Sequence, residues 1–85
     1  MNRKWLLARL SNGHHRNVSF RDFVHLAEGF GFRLVRVNGS HHVFTHPTIP
    51  ELLNLQEVGG EAKPYQIRQF LRLVERYNLA LEDQR

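Results

Sequence analysis

The chain has 85 residues, no cysteine, and twelve Lys and Arg against eight Asp and Glu, for a formal charge of +4. That length sets one domain as the default, with one modest core and no room for a deep internal cavity. The composition excludes disulfide and thiolate chemistry, and no apolar run approaches the roughly 20 residues of a membrane-spanning helix.

Ten of the twelve cations are arginine, read directly from the sequence. Arginine's planar fork matches phosphate and stacks on bases, so the charge fits a nucleic-acid partner as well as an ordinary solvated surface. The first ten residues are basic and then apolar, but Arg9 interrupts the run and no small-residue cleavage site follows. A signal peptide is therefore not expected, and the chain reads as cytoplasmic.

Trp5, Leu6 and Leu10 among Arg3, Lys4 and Arg9 suggest a short first helix that ends at Asn12-Gly13. His14, His15 and Arg16 form a basic connector. Ser19 has the character of an N-cap, with Asp22 three residues on. Phe20, Phe23, Val24 and Ala27 then recur at helical spacing, and Gly29 and Gly31 are expected to close that helix. His25 lies inside it and reads as a partly exposed helix residue.

Phe32 to Val37 reads as a strand with apolar residues on both faces. Asn38-Gly39 is the strongest short-range hairpin signal, because a type I′ turn needs positive φ at both central residues. A second strand follows from about Ser40 to His46. Alternation puts His41, Val43 and Thr45 on one face and His42, Phe44 and His46 on the other. Pro47 to Glu51 is expected to be a loop held open by Pro47 and Pro50. Leu52 to Val58 reads as a third strand, ended by Gly59-Gly60. Pro64 suits a first helical turn, and Ile67, Phe70, Leu71 and Val74 mark an amphipathic helix to about Tyr77. Arg68, Arg72 and Arg76 form a basic ridge along it, and Leu79 to Arg85 is a short tail that frays unless Leu79 or Leu81 docks.

Imidazole is the side chain that titrates nearest neutral pH. Two imidazoles at the rim of a sheet on a basic protein suggest acid–base chemistry on an anion. A metal is discounted on geometry: His42 and His46 share a face but stand about 13 Å apart at strand rise, too far for one ion.

Phe30-Gly31-Phe32, the run from Gly39-Ser40-His41-His42 to His46-Pro47, the Leu55 strand, and Gly60-Glu61-Ala62-Lys63-Pro64 entering a helix resemble the HicA (YcfA-like) toxins. The resemblance runs from about Asn17 to Leu79. It implies an α+β, double-stranded-RNA-binding-domain-like fold, α-β-β-β-α, with a three-stranded antiparallel sheet and both helices on one face. This chain adds an N-terminal helical segment. The expected organisation is one domain over 1–85, with 1–16 as extension, 17–79 as core and 80–85 as tail. The resemblance also implies a type II toxin that cleaves mRNA as a metal-independent endoribonuclease, with no cofactor and with a HicB-like antitoxin as partner.

The family motif places the catalytic histidine at His41, with His42 as second choice, since some members carry it one position later. A histidine can serve as general base for the 2′-hydroxyl or acid for the leaving 5′-oxygen. Ser40, Lys63, Arg68 and Arg72 are the expected RNA contacts, Lys63 because it sits at a helix N-terminus. The bland alternatives are a rim histidine bonded to turn backbone and solvated basic side chains. At the level of function the alternatives are an RNA-binding module without cleavage and a protein-interaction domain.

Overall fold

A computed structural model of the protein describes residues 2–82. The elements run α1 (Arg3–Ser11), α2 (Phe20–Gly29), β1 (Arg33–Asn38), β2 (His41–His46), β3 (Ile49–Val58), β4 (Glu61–Ala62) and α3 (Pro64–Arg76). The strands form one sheet in the order β1-β2-β3-β4, each neighbouring pair antiparallel. This is the expected α+β, double-stranded-RNA-binding-domain-like arrangement with an added first helix. A fourth, two-residue strand extends the sheet beyond the three expected.

Each helix begins where its capping chemistry allows. Asn2 Oδ1 accepts from the Trp5 amide at 3.0 Å, and Ser19 Oγ accepts from the Asp22 amide at 3.2 Å. Pro64 opens α3 with Lys63 as N-cap. Leu6 and Leu10 bring α1 into the same core as Phe23 and Leu26 of α2 and Ile67 and Phe70 of α3. Phe44, Leu53 and Leu55 answer from β2 and β3, all fully buried. Burying each such side chain is worth about 1.5–3 kcal/mol before entropy is counted. Phe70 sits at the centre, edge-on to Phe23 at 5.2 Å and to Phe30 at 5.6 Å. Leu81 docks on this core and is buried. Leu79 is partly buried, and 83–85 lie outside the described residues.

Gly29 has a different role from the expected helix cap. It is the last residue of α2 and is buried, and a Cβ there would lie 2.7 Å from Leu81 Cδ1 and 2.8 Å from Arg3 Cδ. Glycine here gives room to the Leu81 and Arg3 side chains and takes no left-handed backbone, so a Cβ would make those two side chains shift. Gly31, at φ +99, provides the conformational break.

The turns depart from expectation in three places. The β1–β2 turn is centred on Gly39-Ser40, because Asn38 pairs with His41. Only Gly39 has positive φ (+63), so the turn follows the type II′ pattern and not the type I′ pattern that Asn-Gly suggests. Pro47 to Glu51 is not an open loop. His46 pairs with Ile49, which leaves Pro47-Thr48 as a two-residue turn and starts β3 three residues early. Gly59 and Gly60 both have positive φ (+59 and +80), and they supply the type I′ pattern that returns the chain into β4.

His46 explains the tightness of the second turn. Its Nε2–H donates to the Phe30 carbonyl at 2.9 Å, and its Nδ1 accepts from the Thr48 amide at 3.1 Å. Both ring nitrogens are used, so this histidine is structural. β1 is the outer edge of the sheet. All six of its residues are exposed, and a bulge at Val35 shifts its register between Leu34 and Arg36.

Candidate functional site

The site is built on the end of the sheet that carries the β1–β2 turn. Asn38 on β1 pairs with His41 on β2, and His41 pairs with Gln56 on β3. Ala62 on β4 pairs with Glu57, so Lys63, still extended at φ −80 and ψ 135, reaches the level of Gln56. Alternation turns Lys63 to the side opposite the buried Ala62, the side of Gln56 and His41. Asn38, His41, Gln56 and Lys63 thus form one row across the outer face. His41 and Lys63 are two strand spacings apart, roughly 10 Å between main chains.

His41 is exposed, and its Nδ1 lies 3.4 Å from Asn54 Oδ1. With Nδ1–H donating there, Nε2 keeps its lone pair and has no hydrogen-bond partner among the described residues. Gln56 Nε2 donates to Ser40 Oγ at 3.3 Å, which ties the turn to β3. The Ser40 carbonyl accepts from the Glu57 amide at 3.1 Å. Ser40 therefore holds the turn that carries both histidines. Arg33 and Arg36 share the outer face, opposite Thr45 and Val43, and are exposed. They make this surface electropositive.

His42 faces the other way, as alternation predicts. Its ring packs on Phe20 at 4.8 Å between centroids, and its Nδ1–H donates to the Ser40 carbonyl at 3.1 Å. It lines a depression with Phe20, Val24 and Leu34 that also holds Arg21, Glu28 and Glu57. The two adjacent histidines cannot serve the same phosphate.

Lys63 Nζ lies 5.7 Å from the centre of the Tyr65 ring, which is half exposed. Arg68 and Arg72 do not join one track. Arg68 lines a basic cleft with Arg9 and Arg16, whereas Arg72 lines a different depression beside Glu51 and Glu75. The expected ridge is divided between two surroundings.

Sequence reasoning missed Asn54, Gln56, Tyr65 and Gln66. Gln66 is the instructive case. It is 5% exposed, and its Oε1 accepts from the Gln56 amide at 2.8 Å. β4 has ended at that level, and the Gln66 side chain supplies the acceptor that a longer strand would have offered. It thereby fixes the first turn of α3, with Lys63 and Tyr65, to the row that contains His41. Among the described residues no group of three His, Asp or Glu side chains is placed to hold a metal ion.

The model of the HicA toxins of bacterial toxin–antitoxin systems matches residues 20–75. The chain belongs to the HicA toxin family. It is accordingly a toxin of a toxin–antitoxin system, and an antitoxin is its partner. The HicA match begins at Phe20, the first residue of α2, and ends one residue before the end of α3. It takes in the row from Asn38 to Lys63 and leaves α1 and the basic connector outside. No curated protein and no solved structure matches this HicA chain. No helix among the described residues is long and apolar enough to cross a membrane.

Proposed function

We propose that this toxin is a metal-independent endoribonuclease that cleaves mRNA, with His41 as its general base and a HicB-like protein as its antitoxin. The observation that carries the reading is the row across the open face: an imidazole with a free Nε2, an amide, and a lysine on one level. In this mechanism His41 Nε2 takes the proton of a ribose 2′-hydroxyl. The 2′-oxygen then attacks the adjacent phosphorus, and the bond to the 5′-oxygen breaks. Solvent protonates the departing 5′-oxygen, and a 2′,3′-cyclic phosphate remains. Lys63 and the Gln56 amide offset the negative charge that builds on the phosphorane oxygens. A positioned base of this kind contributes about 10²–10⁴-fold.

Asn54 supports this assignment, since a bond to Nδ1 decides which ring nitrogen is the base. His42 is the second reading. The Ser40 carbonyl fixes its tautomer and Phe20 fixes its ring, but Glu28 and Glu57 in its depression outnumber Arg21 there, whereas Arg33, Arg36 and Lys63 share the face of His41. The test compares His41→Ala and His42→Ala for growth arrest on expression and for new 2′,3′-cyclic phosphate ends on RNA. His41→Ala is expected to lose both while His42→Ala retains them. The reverse result moves the base to His42. Full activity in both variants sinks the nuclease reading, and salt-sensitive RNA binding without cyclic ends leaves a binding module instead.

A further inference from the structure

The segment before the family match builds a second basic surface. Gly13, at φ +93, turns the chain out of α1, and the His15 ring Nε2–H donates back to the Leu10 carbonyl at 2.8 Å. Asn17 takes the left-handed conformation at φ +57. The chain is then stitched to the β3–β4 hairpin: the Val18 carbonyl accepts from the Ala62 amide, and the Phe20 amide donates to the Gly60 carbonyl, both at 2.9 Å. That stitching brings the connector against the first turns of α3.

The result is a cleft of about 670 Å³ lined by Arg9, His14, His15, Arg16, Pro64 and Arg68, and no carboxylate among the described residues lines it. Arg16 and Arg68 form no ion pair with any carboxylate among the described residues. Arg9 lies 4.9 Å over the ring of Trp5, and Trp5 is 57% exposed. Unpaired guanidiniums gathered in a groove, with an exposed indole against Arg9 at its margin, are the elements of a single-strand nucleic-acid site: cations track phosphates and aromatic rings stack bases. An acidic protein segment would use the arginines but has less need of the indole.

We propose that this cleft binds the phosphate backbone of single-stranded RNA at a distance from the scissile bond, as an exosite built by the N-terminal extension. The proposal rests on the ribonuclease reading. α3 is the link, because Lys63 and Tyr65 at its start flank the His41 row while Arg68, one turn on, lines the cleft.

The test uses the full chain carrying His41→Ala, so that RNA stays intact, and a short fluorescent single-stranded RNA. Affinity is measured across a salt series, with and without Arg16→Gln and Arg68→Gln together. Each phosphate contact on a single strand contributes about 0.7 to the slope of log affinity against log salt, so the double substitution is expected to lower the slope by about 1.4. Both substitutions are at exposed positions, and matching melting curves confirm that the fold is retained. An unchanged slope and affinity overturn the exosite and leave the nuclease reading standing. Absence of salt-dependent RNA binding in the His41→Ala parent removes the ribonuclease reading and the exosite with it. Retained RNA affinity with lost antitoxin binding also overturns the exosite, because the cleft is then a protein contact.

Discussion

Replacing Gln66 by methionine removes the bond from the Gln56 amide, together with a longer one from Gln66 Nε2 to the Tyr65 hydroxyl at 3.4 Å, at nearly constant volume. Gln66 is 5% exposed, and its Oε1 accepts from the Gln56 amide at 2.8 Å. Methionine keeps the unbranched shape but offers no useful acceptor, so the half-buried Gln56 N–H loses its partner. An unsatisfied donor of this kind costs about 1–3 kcal/mol. For a domain of this size each 1 kcal/mol lowers the melting temperature by roughly 4–8 °C, so a loss of about 4–24 °C is expected. Thermal unfolding followed by circular dichroism measures it, and amide exchange at Gln56 checks the cause, because that proton should speed up by more than the amides of α2, which follow only the global loss of stability. A melting temperature within about 2 °C of the parent would refute the reasoning, since that corresponds to less than about 0.5 kcal/mol. It would mean that water or a shifted backbone already satisfies the donor.

Other perturbations separate further parts of the argument. Gly31→Ala should destabilise more than Gly39→Ala by at least about 1 kcal/mol in urea unfolding. Both sites have positive φ, which costs a side chain about 1–2 kcal/mol, but only at Gly31 does a Cβ meet a neighbour, His46 Nε2 at 2.9 Å. His46→Ala should cost about 3–5 kcal/mol, since it leaves the Phe30 carbonyl and the Thr48 amide unpaired and opens a buried cavity. The exposed His41→Ala should stay within about 0.5 kcal/mol of the parent, and equal effects from the two would contradict the division into structural and functional histidines. The Tyr77 hydroxyl donates to the Glu51 carboxylate, and that bond chiefly raises its pKa, with desolvation and the Glu51 charge adding and Arg76 opposing. A raised folded-state pKa adds stability that is fully present below the unfolded tyrosine value and is lost as pH rises through the folded one. Phenolate absorbance should therefore show Tyr77 ionising at higher pH than it does in Glu51→Gln, and no downward shift in that variant would refute the contact.

Long elements were legible because their periodicity is redundant. Phe20, Phe23 and Ala27 are buried as the helical spacing of α2 requires, and Ile67 and Phe70 do the same for α3. The opposed faces of His41 and His42 followed from strand alternation alone. The turns were less legible, since a dipeptide signal does not fix register. Asn38-Gly39 and Gly39-Ser40 both suit a tight turn, and the choice fell to the pairing of β2 with both neighbours. Pro47 suggests an open loop by sequence, although its fixed φ equally suits a two-residue turn once His46 ties Phe30 to Thr48. β4 has two residues, too few to carry any period. Gln66 and the cleft at Arg16 are out of reach for another reason: each depends on separate elements meeting in space, ten residues apart for Gln66 and Gln56 and about fifty for Arg16 and Arg68, and no local pattern announces that they meet.

The kinked border of the sheet has a bearing on what a lone molecule does in a crowded solution. β1 offers its outward amides and carbonyls with Leu34, Val35 and Val37 beside them, all about half exposed, which is ordinarily an invitation to stack copies edge to edge. The extra residue at Val35 cuts that border into two short runs, and Arg33 and Arg36 place like charges on them. A second identical border laid alongside would find its ladder out of step after two residues and its guanidiniums opposed, so unchecked fibre growth from this side is blocked by the same residues that leave it bare.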